Sequence, residues 1–218
     1  MTDLGRRRNR NSECRTVLLQ TLFWPLISLD RVYHRLLFAI SDHRTFDRFT
    51  LYSIENDQVF FAKAIEALEL LKKVDSRRYQ RAQRYLPILA HVRQGGNFYK
   101  HSAKAFYVHK PPDDAAFFAS EIVHETTHAY LIDRGFRYNK NARERHERLC
   151  TKEQLNFIIK TINSQEHMPH SQKDELIRQW RTWFEERLAS GWWHDKNVRK
   201  DRIVALREML RELFRKRR

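Results

Sequence analysis

Apolar residues recur at every third or fourth position along much of the chain, which is the spacing of amphipathic helices. The clearest case is 58–73, where Phe61, Ile65 and Leu68 fall on one face. Asp75 then supplies an N-terminal cap for a following helix. The full pattern predicts helices over residues 16–41, 58–73, 76–85, 114–133, 141–162, 172–189 and 196–216.

The pattern changes between residues 88 and 109, where short runs rich in β-branched and aromatic residues predict strands. The runs ILAHVR and AKAFYVH are separated by Gly95-Gly96-Asn97, which is a turn signal. We therefore expect a hairpin or small antiparallel sheet just before the 114–133 helix. Together these elements predict an α+β fold that is mainly α-helical.

The composition and the length limit the fold classes and domain arrangements that the chain can have. Only 5 Gly and 5 Pro among 218 residues argue against an all-β fold with many tight turns. The length suits one domain with a helical extension. We predict a basic flexible arm at 1–15, a main domain at 16–170, and a basic helical C-terminal extension at 171–218 that packs on the same domain.

The chain is strongly basic, with a formal net charge of +15. More than half of that charge lies in 1–15 and 171–218, outside the main domain. Such termini could contact nucleic acid or an acidic protein, and the charge alone does not choose between these partners.

Two cysteines, Cys14 and Cys150, exclude a disulfide framework and predict free thiols in a reducing compartment. The longest apolar stretch, 17–29, is interrupted by Pro25 and is shorter than the roughly 20 residues that a membrane-spanning helix needs. The arginines before it resemble a signal peptide, yet no small-residue cleavage pattern follows. We therefore expect a cytoplasmic protein in which residues 17–29 form a buried or surface-docked helix, with membrane docking of this stretch as the less favoured alternative.

The chemistry concentrates in the sequence HETTH at 124–128, an HExxH motif within a predicted helix. Residues four apart lie one turn apart on a single helix face, so His124 and His128 can both reach one metal ion. Glu125 lies beside them, where it could hold a water molecule rather than ligate the ion. This arrangement is typical of zinc sites that deliver water to a carbonyl carbon.

A catalytic zinc site commonly has three protein ligands, so a third must come from outside the motif. The extended motif HExxHxxGxxH is excluded, because Leu131 and Arg134 occupy its Gly and His positions. The candidates are Glu144, His146, Glu147 and Glu153 on the next predicted helix, and the more distant His167 and His170. Of these, Glu144 is expected to face solvent.

We favour Glu147 as the third ligand. It lies 19 residues after His128, which is enough for one turn and a returning helix. It also shares the more inward face of its helix with Cys150 and Gln154. An ordinary helix salt bridge with Arg143 is the alternative.

The run SEIVHETTHAYLIDRGFRY, followed by RERHERLCTKEQLNF, resembles the gluzincin class of zinc metallopeptidases, in which HExxH lies on one helix and a Glu ligand on the next. The resemblance is closest to small uncharacterised bacterial HExxH proteins and covers residues 58–160. It implies a zincin-like core at 16–170 with one Zn²⁺ per chain. By this resemblance His124, His128 and Glu147 are the metal ligands, and Glu125 is the general base.

Further expectations follow from the same resemblance. Tyr138 resembles the phenol with which some gluzincins hydrogen-bond the tetrahedral oxyanion, with a packing role as the alternative. The strand at 105–109 resembles the edge strand on which an extended peptide pairs, with a core strand as the alternative. Gluzincins often carry an Asp one turn after the Glu ligand. Thr151 stands there instead, so Glu153 or Asp133 would have to orient a histidine ligand.

The sequence therefore predicts a zinc-dependent metallopeptidase acting on a peptide or protein, in which Glu125 takes a proton from the attacking water. The motif helix also resembles that of SprT-like proteases, which act on DNA-bound proteins. In that alternative His146 replaces Glu147 as third ligand. A further alternative is a non-enzymatic basic helical module that binds nucleic acid through its termini.

Overall fold

A computed structural model describes residues 41–53, 57–92, 97–139 and 141–191, together with Leu36, Phe38 and Ala39. In this part of the chain there are five strands, β1 (Asp42–Phe46), β2 (Phe49–Ser53), β3 (Ile88–His91), β4 (Phe98–Lys100) and β5 (Ala105–Val108). The helices are α1 (Gln58–Val74), α2 (Ser76–Tyr85), α3 (Ala115–Asp133), α4 (Arg143–Asn163) and α5 (His170–Ala189), with a short 3₁₀ turn at His101–Ala103. The predicted α+β class with mainly helical content is confirmed.

The strands form one mixed sheet in the order β1-β2-β3-β5-β4. The prediction of an antiparallel hairpin between the ILAHVR and AKAFYVH runs is wrong, because β3 and β5 pair in parallel, with Leu89 opposite Phe106. The chain between them contributes β4, which pairs antiparallel with β5. This long connection lets β5 enter the sheet in the same direction as β3. The strand predicted as an edge strand, β5, is therefore an inner strand, and β4 forms the edge.

The hairpin of β1 and β2 was not predicted. Its inward residues Phe49, Leu51 and Ser53 alternate with more exposed ones, so the strand has the period-two pattern of a half-buried sheet. The two-residue turn places Asp47 at a φ of 48°, and its carboxylate accepts hydrogen bonds from Lys72 of α1 and from Tyr79 of α2. The turn is thereby tied to both helices.

The hydrophobic core lies between the sheet, α1 and α3. Phe60 and Leu68 of α1 are fully buried, as are Phe106 of β5 and Phe118 of α3. Asp75 ends α1 and begins α2 as predicted, and its side chain accepts a hydrogen bond from the backbone N–H of Arg78. The core therefore fixes α3 against a rigid layer on one side.

Helix α3 begins after Asp114, whose side chain accepts a hydrogen bond from the backbone N–H of Phe117. It ends just before Gly135, which adopts a left-handed φ of 84°. Helix α4 returns alongside it. Helix α5 then packs on α4 through a small cluster built on Ile158, Ile162 and Phe184.

Several predicted segments lie outside the described residues. These are the arm at 1–15, the apolar stretch at 17–29, most of the predicted helix at 16–41, and the helix at 196–216. The predicted domain limits stay predictions. Within the described ranges, no helix combines the length and the apolar character that crossing a membrane requires.

Candidate metal centre

The HExxH motif lies in the middle of α3, on a stretch that is buried almost all round. His124 and His128 are 6% and 8% exposed, and their rings point to the same side because they are one turn apart. The two Nε2 atoms lie 3.2 Å apart. Burial lowers the pKa of His124, which keeps its imidazole neutral, the form that binds metal.

Glu147 approaches the same point from the first half of α4. Its side chain is buried, with Oε2 3.4 Å from His124 Nε2 and Oε1 3.5 Å from His128 Nε2. Burial alone would raise the pKa of Glu147, but the adjacent His124 and His128 side chains outweigh it and hold the pKa well below its usual range. The structure thus brings together the three residues predicted as ligands, with Glu147 as an anion.

Cys150 lies one turn after Glu147 and is fully buried. One ligand atom each from His124, His128 and Cys150 can be chosen so that all lie within 4.8 Å of one another, a cluster that could hold a metal ion. Burial raises the pKa of the Cys150 thiol, which therefore stays protonated without such an ion. The sequence placed Cys150 on the inward face of the helix but did not identify it as a possible ligand.

A buried hydrogen-bond chain behind His124 was not predicted. Ser120 Oγ donates to the Phe117 carbonyl oxygen and accepts from Gln154 Nε2, which lies 3.0 Å away. The amide oxygen of Gln154 consequently faces His124 Nδ1 at 3.1 Å. An oxygen in that position requires Nδ1 to carry the proton, so the lone pair of His124 is on Nε2, at the site.

The two acids considered for that orienting role lie elsewhere. Glu153 accepts hydrogen bonds from the Arg78 guanidinium, with the closer contact at 2.9 Å, and Asp133 is exposed at the end of α3. Gln154 occupies the orienting position one residue after Glu153. The only sequence signal for it was its place on the inward face of α4.

Glu125 lies at the border between the motif helix and the sheet. Burial raises its pKa to about 7, the negative charges of Glu147 and Glu121 add to the rise, and a hydrogen bond from the Tyr99 backbone opposes it. Tyr99 is the central residue of the edge strand β4. The carboxylate therefore lies between the histidine pair and the open edge of the described sheet.

Tyr138 lies in the loop between α3 and α4, and its hydroxyl donates a hydrogen bond to Glu147 Oε1. Its ring contacts the edge of the His128 ring, with centroids 5.3 Å apart. Burial and the Glu147 carboxylate both raise the pKa of Tyr138 above its usual value, so the hydroxyl remains a donor. The residue is at the site as predicted, and its predicted role toward an oxyanion stays a prediction.

His146, the alternative third ligand, is also buried at the site. Its ring stacks on that of His128 with centroids 6.1 Å apart. Neither of its ring nitrogens has a hydrogen-bond partner among the described residues. Burial lowers the pKa of His146, which keeps this unpartnered imidazole neutral.

The remaining candidate ligands face away from the histidine pair. Glu144 is exposed and pairs with Arg148 at 2.9 Å, as expected for a solvated residue. His167 lines a separate surface cleft beside Lys73, and His170 is exposed at the start of α5.

Further acidic side chains lie around the site. Glu121, Glu125 and Glu147 interact electrostatically with the guanidinium of Arg187 on α5. Burial raises the pKa of Glu121 to about 7, against the opposing effects of Arg187 and a hydrogen bond from Asn97.

Comparison with known proteins adds no relative. The chain matches no protein-family model, and no curated protein and no solved structure shows significant similarity to it. The resemblance to gluzincins therefore stays a prediction from the motif and its spacing.

Proposed function

We propose that this protein is a zinc-dependent peptidase of gluzincin type, with His124, His128 and Glu147 as metal ligands and Glu125 as general base. The observation that carries the proposal is the convergence of two imidazole nitrogens and one buried carboxylate at a single point. Glu125 stands next to that point, on the side of the sheet edge.

The distances between the ligand atoms fit zinc. Atoms that bind zinc at about 2.0 to 2.1 Å in tetrahedral geometry stand about 3.3 to 3.4 Å apart. The corresponding distances here are 3.2 Å between the imidazole nitrogens, 3.4 Å from His124 Nε2 to Glu147 Oε2, and 3.5 Å from His128 Nε2 to the other carboxylate oxygen, Oε1. We prefer Glu147 to Cys150 as third ligand because its carboxylate has these distances, although Cys150 Sγ also lies near both histidines. One position then remains open for water or substrate.

Each side chain has a separate task in the proposed reaction. Bound zinc would supply Lewis acidity, which lowers the pKa of water and polarises a peptide carbonyl. Glu125 accepts the proton of the attacking water and returns it to the leaving amine. Tyr138, whose hydroxyl donates a hydrogen bond to Glu147 Oε1, would exchange that bond for one to the developing oxyanion.

Strand β4 supports a peptide as the substrate. It forms the edge of the described sheet, and the backbone of its residue Tyr99 bonds Glu125. An extended peptide that added to this edge would run past the general base.

The free thiol of Cys150 suits a reducing compartment, so we propose that the reaction takes place in the cytoplasm.

Two measurements on the purified full-length chain test the proposal. Metal analysis should find one zinc per chain in the parent and none in His124→Ala, while the exposed His167→Ala serves as the matched control and keeps its zinc. Cleavage of fluorescein-labelled casein should be lost in Glu125→Gln with the zinc retained. A Glu125→Gln variant that cleaves casein as fast as the parent would remove Glu125 from the mechanism.

The SprT-like alternative rests on His146, whose buried ring nitrogens lack partners. In that case His146→Ala would lose zinc and Glu147→Ala would keep it, whereas our assignment predicts the reverse.

The variant Cys150→Ser distinguishes a site with three protein ligands from one in which Cys150 is a fourth. If Cys150 and Glu147 both ligate, four protein ligands close the site, and the metal supports the fold without catalysis.

A further inference from the structure

Three guanidinium groups gather around two tyrosine rings where α2 and α3 end. Arg81 lies 4.9 Å from the centroid of the Tyr130 ring, and Arg134 lies 5.3 Å from the same centroid. Arg84 lies 5.3 Å from the centroid of the Tyr85 ring, which in turn meets Tyr130 edge-on at 5.4 Å. We call this surface, together with the neighbouring Phe136, the arginine–tyrosine face.

The positive charge of this face is only partly neutralised. Arg81 has a carboxylate at 3.9 Å, that of Glu153, which is bonded more closely to Arg78. Among the described residues, no carboxylate lies within ion-pair distance of Arg84 or Arg134, and both are exposed. Helix α2 contains four arginines and no acidic residue. The face is therefore a concentrated cationic surface.

The groups that stabilise these arginines in the folded protein do not neutralise their charge. Arg84 and Arg134 stand at the C-terminal ends of helices, where the helix dipole favours a cation. The tyrosine rings stabilise the guanidinium groups through their faces. Because Arg81 and Arg134 share one ring, they stand within about one Debye length of each other at moderate salt, and their repulsion persists. An anion with several charges would relieve it.

An exposed aromatic ring adjoins these charges. Phe136 follows Arg134 by two residues, and its side chain is 52% exposed. The backbone N–H of Phe136 bonds the Leu131 carbonyl, so the ring projects from the end of α3 rather than from a loose loop. Cations that track phosphates beside a ring that can stack on a base are the combination that binds single-stranded nucleic acid.

We propose that the arginine–tyrosine face binds single-stranded nucleic acid. The phosphates contact the guanidinium groups of Arg84 and Arg134, and a base stacks on Phe136. This is a different surface from the basic termini. It belongs to the described core of the protein and lies at the end of the helix that carries the metal centre.

The test uses the full-length chain and a fluorescein-labelled 15-nucleotide oligothymidylate, with anisotropy titrations from 50 to 300 mM salt. The double variant Arg84→Gln, Arg134→Gln should bind about ten-fold more weakly at 100 mM salt, and the slope of log affinity against log salt should fall by about 1.4. Phe136→Ala should weaken binding about ten-fold with the slope unchanged, because stacking releases no counterions. The matched control Arg178→Gln removes an exposed arginine of α5 that pairs with Glu175, and it should bind nearly as the parent does.

Thermal melting of each variant checks that the fold is intact, and all three altered side chains are exposed. Equal affinity and slope in the parent and the double variant would overturn the proposal, because binding would then use the termini or another surface. No binding of oligothymidylate by the parent would also overturn it. So would a preference for phosphatidylserine vesicles that the double variant loses, since the face would then be a membrane contact.

Discussion

Replacement of Gln154 by leucine should perturb the candidate metal centre without changing a proposed ligand. The side chains have similar size, so the change removes two buried hydrogen bonds, one to His124 Nδ1 and one to Ser120 Oγ. His124 then loses the acceptor that fixes its tautomer and ring orientation. The position of its Nε2 lone pair, which faces Glu147, is no longer enforced.

The size of the effect follows from the burial of these groups. Removal of an outer partner of a metal-binding histidine weakens metal affinity by roughly 10- to 100-fold, which is about 1.4 to 2.7 kcal/mol. In the metal-free protein, an unsatisfied buried donor at His124 costs about 1 to 3 kcal/mol of folding free energy. Gln154→Leu should therefore lower both zinc affinity and metal-free stability.

Zinc affinity is measured by competition with a chelating dye, and stability by urea unfolding in the presence of EDTA. Thr161→Val on the same helix is the control, because it removes a buried hydrogen bond to the Phe157 carbonyl far from the histidines. The control should lose stability and keep its zinc affinity. If Gln154→Leu binds zinc as tightly as the parent, the Gln154 hydrogen bond does not orient His124.

Three further predictions concern the fold and the chemistry. Asp75→Asn should cost about 3 kcal/mol at pH 7, because the buried Asp75 carboxylate accepts from Arg78 at 2.6 Å and from Lys160 at 3.1 Å. Burial opposes these bonds but they prevail and lower its pKa, so the difference from the parent in urea unfolding should shrink as the pH falls from about 5 to about 2. Leu68→Ala empties part of the core and should cost about 2 to 5 kcal/mol in the same assay; a cost near zero would mean that α1 repacks. Tyr138→Phe should lower kcat for casein with little change in KM, whereas a higher KM alone would indicate a binding role.

The helices could be predicted because their signals are local. Asp75 and Asp114 are caps next to long apolar repeats, and both begin helices. The direction of β5 could not be predicted, since pairing with β3 depends on where the intervening β4 goes. The β1–β2 hairpin was missed because only Phe49 and Leu51 provide an apolar alternation, over a run too short to stand out.

In the candidate site too, the residues with a local spacing signal could be predicted, and those brought in by packing could not. His124 and His128 are recognisable because one helical turn separates them, and Glu147 because it falls on the inward face of the next helix. Gln154 and Cys150 approach His124 and His128 only after α4 has docked on α3. No spacing rule links a glutamine to a histidine 30 residues earlier, so such partners emerge only from packing.

The two edges of the described sheet differ in their capacity to add another strand. Edge strand β1 presents exposed Asp42, His43 and Arg44, charged and polar side chains that discourage pairing with a second chain. Edge strand β4 carries Phe98 and Tyr99 and a single charged residue, Lys100, so it discourages pairing less than β1 does. Self-association by strand addition would therefore occur at β4, and each such contact would cover the approach to Glu125. Self-association at β4 and substrate access to Glu125 should therefore exclude each other. A peptide bound at β4 should keep the protein in solution, because it covers the edge at which a second chain would pair.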